Sequence, residues 1–579
     1  MYRPTSPQSS FFEPSIICPG FLPKDDWSEL FREKIWPLLD EDKFKHFYVE
    51  EGGAPIKSIK LKLSLLIFMS METLTWRSAE YLFSRRLDWL HATHSAIGDK
   101  GIDFTTLFNF YQKLQNDESS KQLFNDLTSA FIKECGVSTE KQRTDSFFMQ
   151  GWLAILSRYG LFKETIRCFL QALQKHQPDL YDGIIEDLSG DYLKDGFDLT
   201  EKDKHQAQTR VQVMARDLYR LKSAFERHDS VKKYHTFQVL VNVFEQQCEI
   251  TNTNTVGKKT IVDQHDSKND SDFGSREASS DSSLSTPDNS PDPEIKIRKK
   301  PQGERIISSP YNSDAVYTRK RDQKVVGHKA FVTETCDPKN PVQMITDVNL
   351  EKATHSDSKE NPKIDDRLIK AEFKPETRYS DAGFVNGETI LKSAEEGINL
   401  AGPSSGRSQS FESFEKEDRP LDTADFKINV DVDAEQPQVL SCPEGHPPIS
   451  QSISSKTGKF IYHFDWKICS VCQSSLLCPV KIGKRVVTLT FDDKQHVGAM
   501  RHHLYMSSVD YRKECAIRAG AESLVNEVAN AHGARKSRHK TEKGSRLQLT
   551  FSTIACNIKR YINYMGQCAQ NQIISTELQ

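Results

Sequence analysis

Three carboxylates stand where metal-assisted chemistry could use them. Asp145 lies inside the β-prone run Gln142-Arg-Thr-Asp145-Ser-Phe-Phe-Met149, and Asp381 ends the short strand-like run Thr377-Arg-Tyr-Ser-Asp381, with Gly383 close behind. Glu522 sits in Arg518-Ala-Gly-Ala-Glu522, where Ile517, Ala521, Leu524, Val525 and Val528 recur at helical spacing and Gly533 is a natural stop. Arg518 and Glu522 are then one turn apart on the same side of a helix. Strand-borne aspartates converging with a helix-borne glutamate form the donor set that two divalent ions need for phosphoryl transfer. At least one carboxylate bridges the ions, which activate the attacking oxygen and stabilise the leaving one.

Two other carboxylates compete. Asp347 follows the apolar run Val342-Gln-Met-Ile-Thr and could point into the same site from a neighbouring strand. The strand-end position of Asp381, with a glycine allowing close approach of a DNA backbone, favours Asp381. Glu527 falls on the opposite flank of the apolar stripe from Glu522 and reads as a solvated or structural charge. His355 and Asp357 read either as a polar loop clamp or as groups orienting the site.

Behind Glu522 follow Arg535, Lys536, Arg538, Lys540, Lys543 and Arg546 against the single Glu542, a strip suited to phosphate contact. Of the 12 cysteines, four cluster, in Cys442-Pro-Glu-Gly-His446, Cys469-Ser-Val-Cys472 and Cys478. Two thiolates three residues apart can share one Zn²⁺, with Cys442 and Cys478 completing a tetrahedral set; buried, redox-idle thiols are the competing reading.

The elements that must position these groups set the next constraint. A chain of 579 residues holds two to four domains. Its net charge of −3, with 27% charged residues, confines any nucleic-acid affinity to local patches. The longest apolar candidate, Leu61 to Met71, is short and contains Lys62, and the N-terminus has no signal-peptide pattern, so a soluble cytoplasmic protein is expected. Helices are predicted from Trp27 to about Lys133, with Arg77, Arg85, Arg86 and Lys113 suiting either DNA-backbone contacts or a solvated face. One of these helices should run from Ser78 to Leu90. Further helices are predicted over about Trp152 to Lys175 and Thr200 to Cys248. The polar stretches Thr251 to Gly303 and Ser404 to Asp418 are expected to be disordered linkers.

Order should return with a hairpin, Lys324 to Glu334 and Pro341 to Leu350, then a helix to about Lys370, the Asp381 strand, a helix from Gly387 to Glu396 and a strand Ile398 to Ala401. That succession predicts an α/β fold with a mixed sheet. Residues from about Phe426 to Val509 read as β-prone, and Leu547 to Met565 as a closing core helix.

Taken in order, several stretches resemble bacterial insertion-sequence transposases with an RNase H-like Asp-Asp-Glu core, in the group with a helical N-terminal domain and a β-rich insertion before the glutamate. They are Asp103-Phe-Thr-Thr-Leu, Gln142-Arg-Thr-Asp145-Ser, Gly327-His-Lys-Ala-Phe-Val-Thr-Glu through Met344-Ile-Thr-Asp347, His355-Ser-Asp357-Ser, Tyr379-Ser-Asp381-Ala-Gly-Phe384, Cys442-Pro-Glu-Gly-His, Arg518-Ala-Gly-Ala-Glu522 and Ala555-Cys-Asn-Ile-Lys-Arg560. The resemblance covers most of the chain. Cys515 and Ala529 depart from it, standing where the related signature often has a tyrosine and a lysine.

The resemblance implies an RNase H-like mixed sheet with Asp145, Asp381 and Glu522 as catalytic metal ligands for Mg²⁺ or Mn²⁺. Beside the resemblance, the residues themselves mark Arg518, Arg535, Lys536, Arg538 and Lys540 as candidate DNA contacts and Cys442, Cys469, Cys472 and Cys478 as a candidate structural Zn²⁺ set. The implied division is 1–138 helical DNA-binding domain, 139–250 first core strand with a helical segment, 251–303 linker, 304–419 core, 420–510 β-rich insertion, and 511–579 core completion. The implied activity is hydrolysis at transposon ends followed by attack of the freed 3′-hydroxyl on target DNA. A homodimer acting on terminal inverted repeats, in the nucleoid-associated cytoplasm, completes the expectation. A decayed, DNA-binding remnant and a metal-dependent nuclease with the same core are the alternatives.

Overall fold

The computed structural model describes residues 11–23, 25–49, 56–152, 156–193, 204–251, 293–303, 306–320, 323–404, 410–416, 418–429 and 436–577. Its centre is strand β1 (Lys141–Gln150). A ribbon of β2 (Cys248–Thr251) and β3 (Glu294–Ile297) comes next in the chain, followed by β4 (Val316–Lys320), β5 (Gln323–Thr335), β6 (Ile345–Lys352), β7 (Thr377–Tyr379) and β8 (Asn399–Ala401). Except for the ribbon, these strands form one six-stranded sheet in the order β4-β5-β1-β7-β8, with β6 beside β4 on the outer edge of β5. β5 is antiparallel to β1, β4 and β6, whereas β7 runs parallel to β1 and β8 parallel to β7. This is the mixed α/β sheet that the sequence predicts, with Asp145 on its middle strand and Asp381 just beyond the end of β7.

Alternation along β1 divides its side chains between two faces. Phe147 and Met149, with Ala330 and Val332 of β5, join a core that also contains the long helix Glu542–Glu577 and the N-terminal helices. Phe331 faces the other way, against Ile364, Leu368, Phe384 and Ile390 of the helices Asp357–Lys370 and Gly387–Glu395 and the loop between them. The N-terminal helices therefore share their core with the sheet and the C-terminal helix. The sequence-based boundary at residue 138 cuts through one continuous hydrophobic cluster.

The helical segment that follows β1 has its own core, in which Phe162, Phe169, Leu218, Phe225 and Leu240 are buried. The predicted linker 251–303 is corrected at its ends. Residues 252–292 lie outside the described residues, but Glu294–Ile297 pairs with Cys248–Thr251 and Ile295 is buried. The alternation Glu294-Ile-Lys-Ile297 is the strand signal that the surrounding polar composition masks. Of the second predicted linker, Phe411–Phe414 forms one helical turn, and residues 405–409 and 417 lie outside the described residues. The helix expected over Ser78 to Leu90 is two, Trp76–Phe83 and Leu87–Ala92, interrupted at Ser84 to Arg86.

The insertion comprises β9 (Lys427–Asn429), β10 (Gln438–Ser441), β11 (Ser450–Ile453), β12 (Phe460–Phe464), β13 (Lys481–Ile482) and β14 (Val487–Phe491). β11-β12-β14-β13 form a four-stranded sheet and β10-β9 a two-stranded one. The β-rich reading ends at residue 492. There Asp492 and Gln495 form a capping box and start the helix Asp493–Ser507, a signal that sequence reading missed. This helix lies against Gly387–Glu395 so closely that a Cβ on Gly387 would fall 1.7 Å from the Lys494 carbonyl oxygen.

Candidate active site

Asp145 lies mid-strand opposite Val332, half-buried, its carboxylate accepting from the Ser146 N–H at 2.7 Å. Burial raises its pKa, and the charges of Asp381 and Asp357 push it the same way, while the Ser146 N–H and Arg518 oppose them.

Asp381 caps the turn after β7, accepting from the Gly383 N–H at 2.8 Å. A Cβ on Gly383 would lie 3.0 Å from Asp381 Oδ1 and 2.9 Å from Asp357 Oδ2, so glycine is what lets the two carboxylates converge there. Asp357 is held by Ser146 Oγ at 2.9 Å and by Lys329 Nζ at 2.7 Å. Asp357 thus lies beside Asp381 and is held at that turn by groups of β1 and β5. Lys329 was not singled out by sequence reasoning; its place on β5 opposite Phe148 is set by register alone.

Beneath β7, Arg378 is fully buried and ion-pairs with Asp365 at 2.8 Å, also donating to Asn361 Oδ1 and Thr144 Oγ1. This network ties β7 to β1 and fixes where Asp381 emerges.

The Glu522 segment begins as a 3-10 turn, Ala516–Gly520, continues as the helix Ala521–Asn526 and closes as a π-helical turn, Glu527–Ala531. The helix packs on β1 through buried Ala521 and Leu524, leaving Glu522 exposed. Arg143, two residues before Asp145, donates to the Ile517 carbonyl at 3.0 Å and so binds the start of this segment to β1.

The competing carboxylates are otherwise engaged. Asp347 is 4% exposed and is gripped by both arms of the Arg367 guanidinium, at 2.8 and 2.7 Å. Glu527 pairs with Arg560 at 2.6 Å. Cys515 is buried with Cys336, Tyr379 and Ala401, and Ala529 is fully buried.

The basic strip lies alongside the end of β1. Gln150 N–H donates to the Arg535 carbonyl and Ser537 N–H to the Gln150 carbonyl, at 2.9 and 2.8 Å. The Arg535 guanidinium lies 5.7 Å from the Phe147 ring centre, on the same face of β1 as Asp145. The strip and the N-terminal helices enclose a cleft of about 730 Å³ whose walls include Trp76, Tyr111, Trp152, Arg535, Lys536 and Arg538. Lys536 and Lys540 are exposed, Lys540 lying 5.0 Å from the Trp152 ring. Arg538, also exposed, has an engagement within the protein. Its guanidinium donates to the Leu74 and Thr73 carbonyls at 2.6 and 2.8 Å, fastening the strip to the N-terminal helices. Arg86 likewise pairs with Glu72 and Asp88, and Lys113 donates to the Phe47 carbonyl.

Two sets of three metal-capable groups among the described residues have ligand atoms all within 4.8 Å of one another: Glu527, His532 and Cys556, and Asp422, Asp425 and His503. Both hold internal ion pairs, Glu527 with Arg560 and Asp425 with Arg419. The Asp145, Asp381 and Glu522 carboxylates are spread wider than such a set.

Residues 441–562 match the family model of a transposase DDE domain. The chain carries a transposase DDE domain. The matched span contains Arg518, Glu522, the basic strip and the four clustered cysteines, while Asp145 and Asp381 lie upstream of it. No curated protein and no solved structure matches the chain. A DDE-type transposase domain acts on DNA and uses a divalent metal. No helix among the described residues is long and apolar enough to cross a membrane.

Proposed function

We propose that the protein is a DNA transposase whose site is Asp145, Asp381 and Glu522, with Asp357 as a fourth, positioning carboxylate. The observation that carries this reading is the convergence of Asp381 and Asp357, 3.0 and 2.9 Å from where a Cβ on Gly383 would lie, at the turn beside Asp145, whose neighbour Ser146 holds Asp357. Like charges held together in a half-buried place are a donor set that a cation relieves, so the residues fit Mg²⁺ or Mn²⁺. A bound pair of such ions supplies activation of the attacking oxygen and stabilisation of the leaving one.

The chain's own residues do the rest. Lys329 and Ser146 fix Asp357, Gly383 opens room between Asp357 and Asp381, and Arg143 holds the Glu522 segment on β1. Arg535 and Lys536 flank Gln150, five residues and about 17 Å along β1 from Asp145. A duplex gripped there places a phosphodiester about five base pairs further on at the carboxylates. The first step is hydrolysis at the transposon end, and the freed 3′-hydroxyl then attacks target DNA. A homodimer pairing two terminal inverted repeats is part of this proposal, as is the nucleoid as its location.

The test is incubation of the full chain with cleaved element ends, Mg²⁺ and a plasmid target. Joined product is expected from the wild type and none from Glu522→Gln. Cleavage without joining would replace this reading with that of a metal-dependent nuclease. Binding without either would leave a DNA-binding remnant.

A further inference from the structure

We propose that the β-rich insertion is a zinc-stapled module, with Cys442, Cys469, Cys472 and Cys478 holding one Zn²⁺. The fold brings the four together from two connections, β10 to β11 and β12 to β13. Cys442 ends the β10 region, Cys469 and Cys472 lie on the turn after β12, and Cys478 precedes β13. All four thiols are free and line one cavity of about 30 Å³, the space of a single ion.

The loops that carry them are built as ligand turns. Around Cys442 the chain closes on itself, the Cys442 N–H donating to the His446 carbonyl and the Gly445 N–H to the Cys442 carbonyl, both at 2.9 Å. The His446 N–H then points at Cys442 Sγ, 3.4 Å away. An N–H aimed at sulfur stabilises a thiolate and gives a neutral thiol little, so this geometry suits a metal-bound sulfur. Cys469 and Cys472 are joined by a tight turn, Cys472 N–H to Cys469 carbonyl at 3.4 Å, and Cys478 is pinned by its N–H to the Ser474 carbonyl at 2.9 Å. His446 lines the same cavity but is exposed, which leaves the four sulfurs as the set that closes a tetrahedron.

The module needs such a staple. Its core has Phe426, Val439, Phe460, Tyr462, Phe464, Val487, Leu489 and Phe491 as its buried residues, and every residue of β11 is exposed. A core this small gives a β-module little stability of its own, and a structural metal is one of the standard supplements. The sulfurs stand wider than 4.8 Å sets do. Four sulfurs on one zinc are about 3.8 Å apart, given Zn–S bonds of about 2.3 Å, so binding draws the two connections inward. The effect reaches the transposase site through Phe491, the last residue of β14, since the helix Asp493–Ser507 that follows packs on Gly387–Glu395, just behind Asp381.

This assignment stands apart from the transposase reading and is tested without a DNA assay. The full chain is purified without chelator, and zinc is counted per chain by elemental analysis. About one zinc is expected for the wild type and for Cys18→Ser, whose thiol is exposed and outside the cluster. Less than a tenth of that is expected for Cys469→Ser/Cys472→Ser. Replacement by Co²⁺ should give the visible bands of tetrahedral thiolate coordination. Because the double variant could misfold, the wild type is also stripped with chelator and probed by limited proteolysis. Cuts confined to 420–491 that Zn²⁺ reverses support the staple. Wild-type protein that holds no zinc, gives no Co²⁺ thiolate spectrum and is cut identically with and without Zn²⁺ overturns it.

Discussion

Arg143 places its Nε and Nη2 on one oxygen of Glu334, its direct cross-strand partner, at 2.8 and 2.6 Å, while the other Glu334 oxygen takes Arg560 Nη1 at 2.6 Å. Glu334 is 1% exposed. One buried carboxylate thereby joins the catalytic strand, its neighbour and the C-terminal helix, and Arg143 passes the restraint on to Ile517, next to Arg518.

Removing that carboxylate should be costly. Glu334→Gln leaves two largely buried guanidinium groups with half their acceptors, and breaking a buried ion pair from one side costs about 3–5 kcal/mol. Chemical denaturation should show that loss, with the unfolding slope unchanged. A loss below about 1 kcal/mol would mean that solvent already screens the pair.

The separation of Glu522 from Glu527 gives a second expectation. Glu522 is exposed, so Glu522→Gln should abolish joining and leave Tm within a degree or two. Glu527 is engaged by Arg560, which holds its carboxyl below the usual range although burial works the other way. Its stabilising share is present above the ordinary carboxylate pKa and is lost as pH falls through the lower, folded value. Glu527→Gln should therefore lower Tm at neutral pH, by an amount that shrinks in acid, and retain joining at temperatures where it is folded. If Glu527→Gln abolishes joining in folded protein and Glu522→Gln does not, the glutamates exchange roles.

What was legible in the sequence tracks what short-range pattern encodes. The β1 run, the hairpin of β5 and β6, the β7 strand and the helix from Gly387 follow from alternation, turn residues and caps, and they place Asp145 on the central strand and Asp381 just beyond the end of β7. Lys329 was not legible, because its contact with Asp357 depends on β5 register against β1. The engagement of Arg538 was hidden for a related reason: a basic residue in a strip looks like a phosphate ligand, and its bonds to the carbonyls of Thr73 and Leu74, more than 460 positions away, are not written in the local sequence. The strand Glu294–Ile297 was hidden by the polar composition around it.

Gly383 supplies a third expectation. Gly383→Ala introduces a Cβ within 3.0 Å of the Asp357 and Asp381 carboxylates. The turn is surface-exposed, so folding should be nearly unaffected. Joining should fall about tenfold or more, equivalent to ~1.4 kcal/mol of barrier. Wild-type rates would show that the two carboxylates have slack to move apart.

Asp145 makes a pH-dependent case. Its pKa is raised, chiefly by burial and further by Asp381 and Asp357, so ionisation is easier in the unfolded chain than in the folded one. Stability is then lost as pH climbs from the ordinary value of 3.8 through the folded pKa, and above both the whole penalty applies. Asp145→Asn should melt higher than the wild type at pH 7, with the gap closing below pH 4. Mg²⁺ should raise the wild-type Tm, by up to about 2.7 kcal/mol of stability at a hundred times Kd, and leave the variant unmoved. An unchanged or lower Tm for Asp145→Asn at pH 7 would remove the argument that these carboxylates repel one another.

The strip beside β1 should reveal itself through salt. Each lysine or arginine that neutralises a phosphate releases counterions, steepening the fall of log K with log salt by about 0.9. Arg535→Gln/Lys536→Gln should weaken DNA binding evenly across sequences and make that slope shallower by about 2. Arg538→Gln is the internal control. Its guanidinium is committed to the Leu74 and Thr73 carbonyls, so its replacement should lower Tm while leaving the slope nearly intact. If Arg538 changes the slope and the Arg535/Lys536 pair does not, DNA crosses the cleft on the side of the N-terminal helices, and the path from the strip along β1 to Asp145 is wrong.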